Sequence, residues 1–350
     1  MKRVFGVAIA MAAALLCPQH ATAQPANPPA ASNPHLVVYK GDSGPGAGKH
    51  IVFLAGDHEY RSEESLPALA RILAKHFGFT CSVLFTTDPK TGFIEPGSSH
   101  IAGLELLRTA DLFVPFIRFQ DFPDAEMQHV VDYLDRGGPI VGFRTSTHGF
   151  QIQRPDATFL KYTWNTKGAY EGGFGRQILG ETWVGHYGTN HKQSSLLVVD
   201  PAQAQHPILR GVKDVWAESG GYRAIPIEGS TILARGRILN GMSPDAPPAT
   251  DKEEMAVVWV RTYRGTSGRE GRVFVTTHGA SEDLRNDGFR RMAVNAMLWA
   301  AGLERAIAPG NDISFVGPYA PSTYSFGGFV KGQRPADMAG WDAPIPHRTQ

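Results

Sequence analysis

Apolar and polar positions along the chain change rhythm in a repeating order. Ile51-Val52-Phe53-Leu54-Ala55-Gly56 is a short unbroken apolar run, the pattern of a strand buried on both faces. Leu66, Leu69, Ala70, Leu73 and Phe77 then recur at helical spacing, with Ser62 as the expected N-cap and Gly78 as the stop. Thr80–Phe85 predicts a second strand and Leu112–Ile117 a third. Pro115 inside that third run predicts a bulge or a strand end, because proline donates no ladder bond. A helix is expected from Asp124, with Met127, Val130, Val131 and Leu134 on one face and Gly137-Gly138 at its end. Residues 139–143 read as a fourth strand. Ser194–Val199 and residues 255–263 and 272–277 read as further strands, the last two joined by a turn at residues 265–268. Residues 289–301 read as a helix with Met292, Ala293, Ala296, Met297 and Ala300 inward. Strand and helix in alternation predict an α/β domain built on a mostly parallel sheet with helices on both faces. The loops at the carboxyl ends of its strands are then the expected ligand site.

The two ends of the chain break this rhythm. Lys2 and Arg3 precede a short apolar run at residues 4–16, and Ala21-Thr22-Ala23 supplies a small-x-small site before Gln24. That order predicts a secretory signal peptide over residues 1–23, cut after Ala23, and a periplasmic or secreted destination. Leu16 stands before Cys17 where a lipoprotein cut would need a small residue. Residues 24–48, rich in Pro, Ala, Ser and Gly, read as a linker, and residues 49–305 as one α/β domain. Residues 306–350 read as an irregular tail, either an arm lying on the domain or a partly disordered end. No later apolar run is long enough to cross a bilayer.

Composition narrows the partners. Across 350 residues, 34 Lys and Arg face 33 Asp and Glu, a formal charge of +1. Nucleic acid is therefore not expected, because phosphate binding needs a basic surplus. Removal of residues 1–23 takes two positive charges and Cys17, so the exported chain is one unit negative. Cys81 is then its sole thiol, which excludes an internal disulfide.

Five stretches now carry a resemblance. They are Gly56-Asp57-His58-Glu59-Tyr60-Arg61, the helix, turn and strand at residues 132–144, and His206-Pro207-Ile208-Leu209-Arg210-Gly211-Val212. The others are Gly271-Arg272-Val273-Phe274-Val275-Thr276-Thr277 and Asn295-Ala296-Met297-Leu298-Trp299-Ala300-Ala301-Gly302. In this order they resemble the trehalose-utilisation (ThuA-like) family over residues 50–303. The resemblance implies a flavodoxin-like, doubly wound fold of the class I glutamine amidotransferase-like superfamily and an association with sugar metabolism. Two places differ from that family. Gly142-Phe143-Arg144-Thr145 stands where many members read Gly-Leu-His-Ala, and His278-Gly279-Ala280 stands where many read Leu-Gly-His.

Amidotransferase chemistry needs a nucleophilic cysteine on the sharp turn after a strand. The matching turn, residues 142–148, has none, and Cys81 falls inside the second strand. Glutamine hydrolysis is not expected. Ser146 or Thr145 with His148 as base is the substitute to test, although Gly-x-Ser-x-Gly is absent. The expected proton-moving residues are His58, Glu59 and His186. The expected substrate-binding residues are Arg61, Arg118, Arg144, His148, Trp183, Tyr187 and His278, since arginine forks hold oxygens and flat aromatic faces stack on sugar rings. His148, His186 and His278 are also candidate ligands for a divalent metal, which the spacing neither demands nor excludes. The expected ligand is a small carbohydrate, a sugar or keto-sugar. Hydrolase, lyase and isomerase chemistry stay open, beside a non-catalytic sugar-binding or scaffold role. Nothing in the sequence sets the oligomeric state.

Overall fold

The computed structural model describes Met1 and residues 33–348, so the signal peptide expected over residues 1–23 lies outside the described residues. In chain order the strands are β1 (Leu36–Lys40), β2 (His50–Gly56), β3 (Thr80–Phe85), β4 (Leu112–Ile117), β5 (Ile140–Phe143) and β6 (His186–Tyr187). They continue as β7 (Ser194–Val199), β8 (Trp216–Ala217), β9 (Gly221–Tyr222), β10 (Thr231–Leu239), β11 (Met255–Arg264) and β12 (Glu270–Thr276). The α-helices are α1 (Ser62–Phe77), α2 (Asp124–Asp135) and α3 (Asp287–Ala300).

Ten strands form one sheet in the order β1-β3-β2-β4-β5-β12-β11-β10-β7-β8, and β6 pairs with β9 apart from it. The five strands from β3 to β12 run parallel. On either side the pairing is antiparallel, β1 at one edge and β11, β10, β7 and β8 at the other. The sheet is therefore mixed, with a parallel centre and an antiparallel wing, and less parallel than the sequence predicts. Both faces of the centre are covered. Ile51, Phe53 and Ala55 of β2 pack with α1 and α3, while Val52 and Leu54 pack with α2 and the helical turn Leu104–Arg108. That double burial explains why the β2 run carries no polar alternation.

Four local expectations change. Residues 36–40, assigned to a linker, form the edge strand β1, registered Leu36 to Leu84 through Lys40 to Thr80 on β3. Pro115 makes neither bulge nor strand end, for Leu54 pairs with it in regular register. The β4–β5 pairing has already stopped after Phe113, and the Pro115 carbonyl instead accepts the Ser146 hydroxyl at 2.8 Å. An N–H on that side would have no ladder partner to lose. Ser62 does not cap α1. Arg61 takes the cap position in the left-handed region, at φ 61°, and Ser62 Oγ accepts from the Asp57 N–H at 2.9 Å. Finally β10 escapes the sequence pattern, because Arg235 and Arg237 interrupt its apolar run and two register shifts break its pairing with β11.

The C-terminal residues are an arm packed on the α1 and α3 face, with Tyr324, Met338 and Ile345 buried in that core. Tyr39 Oη donates to the Met338 carbonyl at 2.6 Å. Arg71, fully buried on α1, donates to the carbonyls of Ala343 at 2.7 Å and Met338 at 2.9 Å, with its guanidinium 5.2 Å from the Tyr39 ring centre. Arg71→Met removes charge-assisted bonds that hold the arm and strands their buried acceptors. It is expected to cost about 3 kcal/mol. Urea midpoints together with protease cleavage of the arm check this; an unchanged midpoint would remove Arg71 from the account.

Candidate functional site

The loop after β2 is rigid because Asp57 is saturated. Its Oδ1 accepts from the Glu59 N–H at 2.8 Å and from the Tyr60 N–H, and its Oδ2 accepts the Thr145 hydroxyl at 2.6 Å. This turn fixes His58, Glu59 and Tyr60 over the carboxyl end of the sheet. Glu59 Oε2 takes Arg118 Nη1 at 2.5 Å, and its Oε1 takes Asn190 Nδ2 at 3.3 Å. Asn190 also donates to Tyr60 Oη at 3.0 Å. Burial raises the Glu59 carboxyl above its usual range, and Arg118 opposes that rise.

Aromatic contacts tie the remaining groups together. Phe119, at the left-handed φ of 52° after β4, lies 5.0 Å from His148 and 5.7 Å from Trp164 between ring centres. His148 is 5.4 Å from Trp183 and 5.7 Å from Tyr222. His186 is 5.9 Å from Trp183 and 5.5 Å from Tyr222. His58 and Arg118 both meet Phe326 of the arm, at 5.6 and 4.6 Å. Beside Trp164 and Trp183 a cavity of about 260 Å³ opens, with Lys167, Arg176 and Glu181 also on its wall.

Three imidazoles here stay uncharged at neutral pH. Burial holds the His148 ring well below the usual histidine range, and Arg118, Arg144 and the neighbouring imidazoles deepen the shift. Desolvation against its aromatic neighbours, then Arg144 and Arg118, lowers His186 to about 4. His58 is lowered mainly by burial. The Nδ1 of His58 and the Nε of Arg118 are buried without a protein partner. A neutral imidazole accepts a proton; an arginine fork with a spare donor holds an oxygen.

Other expected residues are spent elsewhere. Arg61 is fully buried, and its guanidinium binds the carbonyls of His58, Glu59 and Ser325, so it locks the loop to the arm rather than facing a ligand. Arg144, at φ 35° after β5, is also fully buried. Its Nη1 donates to Ser219 Oγ at 2.8 Å and to the carbonyls of Gly220 at 2.9 Å and Thr277 at 2.5 Å, and its Nη2 to the Ser219 carbonyl at 3.1 Å. Tyr60 and Tyr222 rings flank it at 3.8 and 4.7 Å. Arg144 therefore builds the floor of the site. Tyr187 points into a separate small cluster with Ile238 and Ala249, and its hydroxyl donates to the Glu253 carbonyl. His278 is wholly buried beside Gly236 of β10, with neither ring nitrogen partnered, and burial lowers it to about 3.

The metal and nucleophile readings both fail on geometry. Among the described residues no group of three or more His, Cys, Asp or Glu side chains is placed to hold a metal ion, and His148, His186 and His278 do not form a ligand set. Ser146 is fully buried with its hydroxyl donated to Pro115, and the buried Thr145 hydroxyl is donated to Asp57. Neither is free to attack a substrate. Sequence reasoning missed Phe119, Trp164, Asn190, Tyr222 and Phe326. They sit in irregular segments or, for Tyr222, in the two-residue strand β9, without periodicity, and only their density of aromatic and amide types marked them.

Two solved structures similar to this chain are putative ThuA-like proteins, from Bacteroides uniformis and Parabacteroides merdae. They are 15% and 12% identical to it, cover 77% and 79% of it and 96% and 97% of themselves, and give TM-scores of 0.45 and 0.43. No curated protein matches the chain. The family model for trehalose utilisation, ThuA, matches residues 49–300, and the chain belongs to that family.

Proposed function

We propose that this is an exported protein that binds a sugar or keto-sugar and moves its protons through neutral imidazoles, without a covalent nucleophile. One observation carries the reading. His58, His148 and His186, held uncharged, surround the Arg118–Glu59 pair beside the faces of Phe119, Trp164, Trp183 and Phe326. Aromatic faces suit a pyranose ring, and uncharged nitrogens suit its hydroxyls. His186 at the rim takes a proton from a substrate hydroxyl or from a carbon beside a keto group. From a hydroxyl the electron pair stays on that oxygen; from carbon the C–H pair forms the enolate double bond and the carbonyl π pair moves onto the keto oxygen, and in either case Arg118 stabilises the oxygen's charge.

Three further points support the wider assignment. Numbered along the chain, the parallel strands lie second, first, third, fourth, fifth, the order of flavodoxin-like doubly wound sheets. Cys81 is buried in β3, and burial pushes its thiol up, which argues against amidotransferase chemistry. Export rests on the order of residues 1–23.

Incubating the purified protein with a panel of disaccharides and their keto forms tests the reading. Turnover is expected, and His186→Ala should lower it by roughly 100-fold or more while ligand still binds. Binding without turnover by the wild type would replace the enzyme with a sugar-binding protein.

Because the folded-state pKa of His186 is depressed, the neutral ring persists below the usual histidine range. Activity should stay level from roughly pH 7 to 5 and fall as pH drops toward about 4, where the ring takes up its proton. A fall centred near the ordinary histidine value would contradict the assignment.

Arginine replacements should separate floor from wall. Arg144→Lys loses the planar fork inside the sheet edge and is expected to cost about 3 kcal/mol in urea unfolding. Arg118→Lys keeps a charge beside the buried Glu59 while losing the fork, so it should cost less stability than Arg144→Lys yet weaken sugar binding.

A further inference from the structure

Residues 309–348 form the arm and lie beyond the stretch that the family model covers. Its path is set by the loop after β2. The Ser325 N–H donates to the Glu59 carbonyl at 2.9 Å, and the Gly327 N–H to the His58 carbonyl at 3.1 Å. Arg61 answers by donating to the Ser325 carbonyl. Tyr324 stacks between Tyr60, at 5.2 Å, and His191, at 4.2 Å. These bonds fix the main chain on both sides of Phe326, and Gly327 at φ 65° lets the chain turn immediately after it.

Phe326 itself stays out of the core. Tyr324 and Phe329 beside it are buried, but Phe326 is 62% exposed. Among the described residues it is the one exposed phenylalanine, tyrosine or tryptophan. Apolar burial therefore does not hold it there; the backbone does. Its ring stands over two groups of the candidate site, the Arg118 guanidinium at 4.6 Å and His58 at 5.6 Å. Phe119 flanks the same guanidinium at 5.1 Å. A rigidly mounted, solvent-facing ring beside a spare arginine donor is the arrangement a flat, hydroxylated ligand needs: a face to lie on and an edge to bond to.

We propose that Phe326 is a substrate-stacking residue, the apolar wall that the arm contributes for a pyranose ring whose oxygens meet Arg118 and His58. This inference rests on the carbohydrate reading above and adds the arm to the site. Full-length wild type, Phe326→Ala and Phe326→Trp are titrated with glucose, trehalose, maltose and cellobiose by calorimetry, and melting temperatures are recorded in parallel. The wild type should bind at least one of them. Phe326→Ala should bind it roughly tenfold more weakly or worse at an unchanged melting temperature, and Phe326→Trp should restore affinity. Equal affinity of Phe326→Ala and wild type overturns the stacking role and leaves the carbohydrate reading intact. Weakened binding that Phe326→Trp does not restore, with a lowered melting temperature, also overturns it, since Phe326 would then only anchor the arm. A wild type that binds none of the four, nor their keto forms, overturns both inferences together.

Discussion

The buried charge of Arg144 is the constraint on which the site depends. A guanidinium with no solvent exposure survives only if its donors are met and its charge is answered nearby. Here Nη1 and Nη2, though not Nε, are met by distant parts of the chain. Thr277 follows β12, Ser219 and Gly220 link β8 to β9, and the flanking rings come from the first loop and from β9. The countercharge is relayed, because Ser219 Oγ donates to Asp283 Oδ2 at 2.5 Å while Asp283 also accepts the Gly279 and Ala280 N–H groups at 2.8 and 2.9 Å. One cation thus joins the parallel centre, the antiparallel wing and the turn before α3 at a single point.

That cation also sets the protonation of the wall above it. His148, His186 and His278 all feel Arg144 on top of their burial, and both effects oppose a second positive charge. Uncharged imidazoles in this site follow from the fold rather than from any one neighbour. Glu59 moves the opposite way, drawn up by burial and held back by Arg118. The result is a site whose Arg118–Glu59 ion pair sits largely buried among neutral hydrogen-bonding groups, chemistry better matched to hydroxyls than to a highly charged ligand.

The central architecture was legible because it is periodic. β2, β3, β4, α1 and α2 each present an apolar repeat of fixed period between glycine or proline breaks, and β3 and β4 have the bounds expected of them. β1 and β10 were not legible, the first because it pairs only through one edge, the second because arginines interrupt its run. Within the site, His58, Glu59, Arg118 and His148 could be anticipated from their places at strand ends. The roles of Arg61 and Arg144 could not. A sequence gives the same letter for an arginine facing a ligand and one buried against backbone carbonyls, and only long-range contacts such as Arg61 to Ser325 decide between them.

Arg144 also explains why chemistry would move outward in this chain. The residue after β5 holds a positive φ, strain that costs about 1–3 kcal/mol and persists only where the surroundings enforce it. In α/β-hydrolases such a strand-to-helix turn exposes a nucleophile. Here the same strained position turns a guanidinium into the sheet edge, and its neighbours Thr145 and Ser146 spend their hydroxyls on Asp57 and Pro115. No attacking atom is left at the turn. The groups that keep free valences are those one layer higher, His58, Arg118 and His186, together with the aromatic faces around them. A turn that elsewhere carries the reaction serves in this chain as the foundation on which a second set of residues stands.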